Sequence, residues 1–183
     1  MIESGAEIRV RVAAWPDLLW VLLALAVGLS GILVLPPDEH EVLVLRSTQE
    51  MLQRGDWVVP YFNGEPRLNK PPLNYWATGI VAGLSGSLES VQPWHGRLVS
   101  LLGAITAAWL VCCSGRRMFP GSSGYFAALI WVSSAAFFSF THDARPDMLY
   151  AALCTGMLLV LLKRAPNPEA FVLRDALTLW VLA

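Results

Sequence analysis

Four long apolar runs dominate the hydropathy pattern of this chain, and polar stretches of very different length separate them. Each run can be considered as a membrane span, because about 20 helical residues cross a hydrocarbon core of roughly 30 Å. The four runs are residues 16–35, 97–115, 122–141 and 146–162. The pattern therefore predicts an all-α, multispanning helical membrane protein.

A fifth apolar run, residues 176–183, covers only a couple of helical turns before the sequence ends. We interpret segment 170–183 as the start of a further transmembrane helix. On this interpretation the chain is truncated or is one piece of a split gene, and the missing C-terminal portion would be its partner.

Basic residues near the ends of the predicted spans predict their orientation. The pairs are Arg9 and Arg11, Arg116 and Arg117, and Lys163 and Arg164. Cytoplasmic loops of membrane proteins carry an excess of lysine and arginine, and all three pairs lie on that side only if residues 73–88 do not cross the membrane. Residues 1–15 are then a cytoplasmic N-terminus, and residues 36–96 form one large outer loop.

The first run also resembles the apolar core of a secretory signal, because two arginines precede it. It is too long for a signal peptide, and residues 33–37 lack a small-residue cleavage pattern. We therefore interpret it as a retained signal-anchor helix.

A first juxtamembrane helix is predicted at the start of the outer loop, over residues 38–53. Asp38 is a candidate N-cap with Glu41 at position N3, and Gly55 lies just past the C-terminus. Capping alone would account for Asp38, so this simpler interpretation stays open.

A second juxtamembrane helix is predicted over residues 71–88. Its apolar side chains recur at 3.6-residue spacing, with Asn74, Thr78 and Ser85 on the opposite face. The apolar positions are Leu73, Trp76, Ala77, Ile80, Val81 and Leu84. Amphipathic helices of this kind lie in the membrane interface and do not cross it.

Composition supports the membrane class and excludes several others. The chain is 55% hydrophobic and 15% charged, with a mean hydropathy of +0.52, which is too apolar for a soluble domain. A net charge of -1 argues against a nucleic acid partner. Cys112, Cys113 and Cys154 have no metal-site or disulfide spacing, and no glycine-rich phosphate loop indicates a nucleotide cofactor.

Charged residues of both signs are predicted to gather at the outer face. If the long loop and the end of the third span face the same side, seven charged residues can converge on one site. They are Asp38, Glu39, Lys70, Arg97, Asp143, Arg145 and Asp147. Because charged groups near the bilayer are costly, such a cluster indicates an anionic ligand, and its location suggests a lipid-linked phosphate.

Simpler interpretations stay open for the basic residues of this group. Lys70 could hold its ammonium group at the interface without binding anything, or it could bind phosphate together with the N-terminus of the following helix. Arg97 admits the same two interpretations. For Arg145, which lies between Asp143 and Asp147, an internal ion pair is at least as well supported as a substrate contact.

An ordered set of short motifs resembles a known family. The motifs are Asp38-Glu39, Gly55-Asp56-Trp57-Val58-Val59-Pro60, Asn63-Gly64-Glu65-Pro66, Lys70-Pro71-Pro72-Leu73, Tyr75-Trp76, Arg97-Leu98-Val99-Ser100, Gly115-Arg116-Arg117 and Arg145-Pro146-Asp147. In order and spacing they resemble the N-terminal part of the ArnT-like and protein O-mannosyltransferase-like glycosyltransferases. The resemblance runs from about residue 16 to residue 163.

The resemblance implies a GT-C fold and an enzyme that transfers a sugar from a polyprenyl-phosphate donor to a lipid or protein acceptor on the outer face. It implies that Asp38 is the acidic residue of the reaction centre, that Lys70 contacts the donor phosphate and that Asp147 is a second catalytic carboxylate. The further candidates for substrate binding are Glu39, Arg97 and Arg145. The implied location is a bacterial inner (plasma) membrane.

Two departures from the family pattern bear on a metal cofactor. Many relatives read Asp-Glu-x-Arg-Tyr and Glu-Lys-Pro, whereas this chain has Glu41 and Val42 in the first motif and Asn69 before the lysine of the second. That glutamate is associated with the divalent metal in ArnT-like enzymes, and the neutral Asn69 is a weaker oxygen ligand. The metal site is thus unknown; Asn69 and Glu41 are candidate ligands, and His40 could compensate.

A different class of function stays open. Members of the family have many more spans than this chain, so robust activity is not expected from the chain alone. The alternative is a non-catalytic membrane module that binds lipid phosphates or a partner membrane protein. A transporter fragment is disfavoured, because the charges gather at one face and not at mid-membrane.

Overall fold

A computed structural model describes residues 15–164 together with residues 175 and 178. Within this part of the chain the fold is helical apart from one short hairpin. The elements are α1 Trp15–Ser30, α2 Glu39–Arg54, β1 Tyr61–Phe62, β2 Glu65–Pro66, α3 Leu73–Leu84, α4 Pro93–Met118, α5 Ser123–Val132, α6 Ala135–Thr141 and α7 Asp147–Arg164. The predicted N-terminal segment 1–15 and the predicted span start at 170–183 lie almost wholly outside the described residues.

Helix α4 is the central element and packs against α3, α5 and α7. Small residues allow the close approach: a Cβ on Gly103 would lie 3.0 Å from the backbone of α7, and one on Gly115 would lie 2.9 Å from the Cα of Gly124 on α5. The main buried cluster joins α1, α4, α5, α6 and α7. Its members are Trp20, Ala24, Leu101, Ala104, Ala108, Cys112, Ala128, Val132, Phe137 and Met148.

Only α4, among the helices of the described residues, is long and apolar enough to cross a membrane by itself. Helices α5 and α6 meet the same criterion as a pair, although they are bent by 55° at the break between them. Residues 17–30 of α1 form a shorter apolar stretch. The four complete spans that the sequence indicates therefore stay a prediction.

The third apolar run is interrupted, whereas its sequence pattern predicts one continuous span over residues 122–141. The interruption lies at Ser134, whose backbone is extended (φ −74°, ψ 149°). The Ser134 hydroxyl accepts a hydrogen bond from the amide of Phe137 at 3.1 Å and so caps α6. Hydropathy alone does not report such a break, because serine is tolerated in apolar helices and is also a good N-cap.

Helix α2 begins and ends with caps of the kind that its sequence indicates. The amide of Glu41 donates to the Asp38 carboxylate at 2.7 Å, and Gly55 adopts a left-handed conformation (φ 67°) with its amide bonded to the Leu52 carbonyl. The Glu41 side chain does not complete a capping box. It turns inward and is buried, and this difference determines how the site is built.

The hairpin after α2 has a two-residue turn, Asn63-Gly64, and pairs Phe62 with Glu65. Both turn residues have positive φ, 52° and 86°, as a type I′ turn requires. Asparagine and glycine tolerate this conformation best, so the sequence itself predicts the turn.

Helix α3 buries its polar face and exposes its apolar face. Asn74 and Thr78 lie at 3% and 0% exposure against the protein, whereas Ile80 and Leu84 are 55% and 86% exposed. An exposed apolar face of this kind is suited to lipid and not to water. The arrangement is the one expected if α3 lies in the membrane interface.

This placement of α3 predicts that the whole segment between α1 and α4 lies on one side of the membrane. Single cysteines at His40, Glu65 and Ser90, which are all exposed, should react with a membrane-impermeant maleimide from the outer side. If position 90 reacted only from the cytoplasmic side, α3 would cross the membrane and the predicted shared outer site would be lost.

Candidate functional site

Three charged side chains from opposite parts of the sequence meet at one point, which we call the carboxylate–arginine centre: Asp38, Asp143 and Arg145. Arg145 donates to the Asp38 carboxylate at 2.8 Å, across a sequence separation of 107 residues, and also forms an ion pair with Asp143. Oxygens of Asp38, Glu41 and Asp143 all lie within 4.8 Å of one another. The centre sits where α2 begins and where the loop after α6 ends.

A buried ion pair, Glu41–Arg97, lies beneath this centre. The carboxylate and guanidinium share two hydrogen bonds of 2.7 Å, and their side chains are only 2% and 1% exposed. The remaining guanidinium nitrogen of Arg97 donates to the carbonyls of Ile32 and Leu35, at 3.2 and 2.8 Å. The pair thus joins α2 and α4 to the chain after α1.

The loop that carries Asp143 and Arg145 is fixed through its middle residue, Ala144. The Ala144 amide donates to Glu41 at 3.0 Å, and its carbonyl accepts from the Asn74 amide group at 3.4 Å. The Ser100 hydroxyl lies 2.7 Å from the Asp143 carbonyl and donates to it.

Glycine at position 96 allows this loop to approach α4. A Cβ at Gly96 would lie 2.4 Å from that of Ala144, so a larger residue would push the loop away. The carboxylate–arginine centre is therefore built on a buried scaffold and is not a loose surface cluster.

The two aspartates of the centre have different pKa values. Burial alone would raise the pKa of Asp38, but hydrogen bonds from the Glu41 amide and Arg145 outweigh it and lower the pKa below its usual value. Burial, opposed by Arg145 and reinforced by the neighbouring carboxylates, raises the pKa of Asp143 to about 6. Near neutral pH Asp38 is ionised, as a base or counter-charge must be.

The structure brings some of the predicted site residues together and leaves others apart. Asp38, Asp143 and Arg145 converge directly. Lys70, Glu39 and Asp147 are exposed, and within the described residues Lys70 has no hydrogen bond or ion pair. Its ammonium group can therefore contact an anionic ligand, as far as the described part of the chain shows.

Arg97 does not lie where a substrate contact requires it. Its guanidinium is buried and bound to Glu41 and backbone carbonyls, so it can act on a ligand only through the residues it positions. We correct the expectation of direct substrate binding accordingly. Glu41 and Arg97 carry opposite charges, but their pairing across 56 residues could not be predicted from the sequence.

Glu50 is a buried residue that the sequence motifs did not single out. It is 6% exposed and accepts from the amides of Asn63 and Gly64, at 2.8 and 3.0 Å, and from Arg46 at 2.9 Å. The Gly64 hydrogen bond is the largest cause of a lowered Glu50 pKa, with burial acting in the opposite direction. The sequence carries no local signal for this role, because the turn residues that Glu50 binds lie 13 and 14 positions further along the chain.

The contacts of these carboxylates show whether they are available to bind a divalent metal ion. Glu41 is already bound by Arg97 and Ala144, and Arg145 supplies positive charge to Asp38 and Asp143. One oxygen of Asp143 is buried without a hydrogen-bond partner in the described part of the chain. Asn69 is exposed on the loop before α3. These residues do not offer a free set of three ligands, so no catalytic step is assigned to a metal.

The arrangement of the helices is that of a helical membrane protein with a GT-C-like architecture. The crystal structure of ArnT from Cupriavidus metallidurans in the apo state superposes with a TM-score of 0.73 at 24% identity, covering 90% of this chain and 30% of that chain. The same protein bound to undecaprenyl phosphate gives a TM-score of 0.68 at 23% identity, with the same coverage.

Sequence comparison gives the family. A family model described as dolichyl-phosphate-mannose-protein mannosyltransferase matches residues 69–179, and the chain belongs to this family. Undecaprenyl phosphate-alpha-4-amino-4-deoxy-L-arabinose arabinosyl transferases from Edwardsiella ictaluri and Yersinia enterocolitica are 30% and 29% identical to it over 156 and 140 residues. The resemblance to ArnT-like transferases that the motifs indicate is confirmed.

The chain spans only part of these relatives. The two alignments cover 81% and 76% of this chain but 27% and 24% of the Edwardsiella and Yersinia proteins. The ligands and the activity of the complete relatives therefore cannot be transferred directly to this chain.

Proposed function

We propose that this chain carries the acidic reaction centre of a membrane glycosyltransferase. The enzyme moves a sugar from a polyprenyl-phosphate donor to a lipid or protein acceptor on the outer face of the membrane. The observation that supports this most is the carboxylate–arginine centre, in which an ionised Asp38 lies beside Arg145 in a chain of this family. The site is proposed to work together with parts of the transferase that this chain does not span.

In the proposed reaction the acceptor hydroxyl oxygen forms a bond to the anomeric carbon, and the bond from that carbon to the phosphate oxygen breaks. The electron pair leaves with the phosphate, and the hydroxyl proton goes to Asp38. Positive charge develops on the sugar and negative charge on the leaving phosphate, so a carboxylate and a cation stabilise the two ends of the transition state.

The remaining residues are given roles on the basis of their exposure. Lys70 is the proposed contact to the donor phosphate, because its ammonium group is exposed and has no partner among the described residues. Asp147 is an exposed carboxylate in the first turn of α7, and with Glu39 it is proposed to face the sugar or the acceptor. Arg145 is proposed to orient Asp38 and to contribute positive charge to the centre.

An apolar groove gives the isoprenoid chain of such a donor a place to lie. It is formed by α3, α4 and α7 and has a volume of about 630 Å³. Ala77 and Ile80 of α3 line it, and α3 is the helix that comes directly after Lys70. The groove is therefore compatible with a lipid whose phosphate is held by Lys70.

Replacing Lys70 by glutamine is expected to weaken binding of undecaprenyl phosphate by about tenfold to a hundredfold, because a charge-assisted hydrogen bond is lost. Lys70→Arg should recover only part of the affinity, since its planar fork has a different geometry. Binding is measured by titrating the chain in nanodiscs with undecaprenyl phosphate.

The matched control for this experiment is Arg117→Gln, because Arg117 is an exposed cation in the last turn of α4 and lies outside the lining of the apolar groove. The basic residues assign this end of α4 to the cytoplasm, so loss of the Arg117 charge should leave binding unchanged. Equal affinities of wild type and Lys70→Gln would show that Lys70 only holds a polar group at the interface.

A further inference from the structure

We infer that Glu50 is a positioning residue for the donor phosphate: it anchors the hairpin that holds the Lys70 loop in place. This assignment rests on the proposed function, in which Lys70 binds that phosphate. Glu50 is not part of the sequence motifs, and its side chain is too deeply buried to contact a substrate directly.

The Glu50 carboxylate anchors the hairpin through the two turn residues. Its two oxygens accept hydrogen bonds from the amides of Asn63 and Gly64, which both have positive φ. A buried charge is retained at this position only if its hydrogen bonds are made, because an unpaired buried carboxylate is costly. The turn and the carboxylate therefore stabilise each other, and the hairpin tip is fixed to α2.

The base of the hairpin connects this anchor to Lys70. There the Arg67 amide donates to the Pro60 carbonyl at 2.7 Å, and the Arg67 side chain donates to the Tyr75 hydroxyl at 3.4 Å. Tyr75 belongs to α3 and is 1% exposed. Lys70 thus lies on a short bridge between two fixed points, Arg67 and the start of α3 at residue 73.

Removal of the anchor should loosen this bridge. In Glu50→Gln the side chain keeps its size, but one oxygen becomes an amide group that cannot accept a hydrogen bond from the turn. The hairpin tip is released from α2, and the bridge with Lys70 gains conformational freedom. Binding then weakens because this freedom must be lost again when the phosphate binds.

Spin-label distances test the positioning directly. Labels at Asn69, beside Lys70, and at Ser122, an exposed residue just beyond α4, are attached to a chain whose native cysteines are replaced. Double electron–electron resonance should give one narrow distance distribution for wild type and a clearly broader one for Glu50→Gln. Glu65→Gln is the matched control, since Glu65 is an exposed glutamate of the same hairpin, and it should leave the distribution unchanged.

A second variant covers the case in which Glu50→Gln fails to fold. Gly64→Ala leaves the buried carboxylate intact but strains the turn, because alanine is disfavoured at φ 86°. A Cβ at this position would have no neighbour closer than 3.9 Å, so the strain comes from the backbone alone. It should broaden the same distance distribution.

Donor binding supplies the functional measurement. Undecaprenyl phosphate should bind Glu50→Gln about tenfold more weakly than wild type, as expected when a contact of this size is lost. Lys70→Gln in the Glu50→Gln background should cost little more, because both changes remove the same contact. Glu65→Gln should bind like wild type.

The outcomes separate this inference from the proposed function. A distribution that stays narrow in both Glu50→Gln and Gly64→Ala, or binding losses that add fully with Lys70→Gln, overturns the positioning role. A wild-type chain that does not bind undecaprenyl phosphate, with intact helical structure by circular dichroism, overturns the proposed function first and the role of Glu50 in donor binding with it.

Discussion

Replacing Arg97 by methionine should destabilise the protein by about 3 to 5 kcal/mol, the typical cost of breaking a buried ion pair from one side. The substitution leaves the Glu41 carboxylate buried at 2% exposure without its main partner. It also frees the carbonyls of Ile32 and Leu35. The loss is measured by chemical or thermal unfolding of the purified chain in detergent.

Two comparisons make this prediction specific. Arg145→Met removes a more exposed arginine, 28% exposed and paired with a 49% exposed Asp38 and a 14% exposed Asp143, and should cost less, about 1 to 2 kcal/mol. The double variant Glu41→Leu with Arg97→Met should recover much of the stability, because replacing both charges avoids an unpaired one. If Arg97→Met cost no more than Arg145→Met, the pair would not be the scaffold of the site.

Asp38→Asn should reduce sugar transfer by about a hundredfold to ten-thousandfold, the usual contribution of a general base. Asparagine is still a good N-cap, so α2 should begin at the same residue and expression should be unchanged. The measurement is transfer of labelled sugar from a polyprenyl-phosphate donor in membranes that contain the complete transferase.

The control for this prediction is Asp56→Asn. Asp56 also caps a turn, accepting from the amides of Val58 and Val59 at 2.9 and 3.1 Å, but it lies outside the carboxylate–arginine centre. Its replacement should leave transfer nearly unchanged. Turnover that is equally insensitive to both substitutions would assign Asp38 a capping role and no chemistry.

Much of the fold could be predicted from the sequence because its signals are local. The caps at Asp38 and Gly55 and the Asn63-Gly64 turn each depend on neighbouring residues only. The amphipathic pattern of α3 likewise indicates which face of the helix is apolar. The expected neighbour of that apolar face is lipid and not protein.

The buried polar interactions could not be predicted, because they join residues far apart in sequence. Glu41 satisfies the pattern of a capping box but pairs with Arg97 on another helix. Glu50 lies in an ordinary amphipathic helix and finds its partners 13 and 14 residues away. The break at Ser134 depends on a balance between capping and helix continuation that hydropathy does not report.

Solid-state NMR can test whether this chain holds a lipid-linked phosphate at Lys70. The chain has two lysines, so ¹⁵N-lysine labelling places one label at the proposed site and one at Lys163. With undecaprenyl phosphate in a bilayer of phosphorus-free glycolipid, its ³¹P nucleus should dephase one ¹⁵N lysine signal, and Lys70→Gln should abolish this effect. No dephasing, or dephasing that persists in Lys70→Gln, would contradict phosphate binding at Lys70.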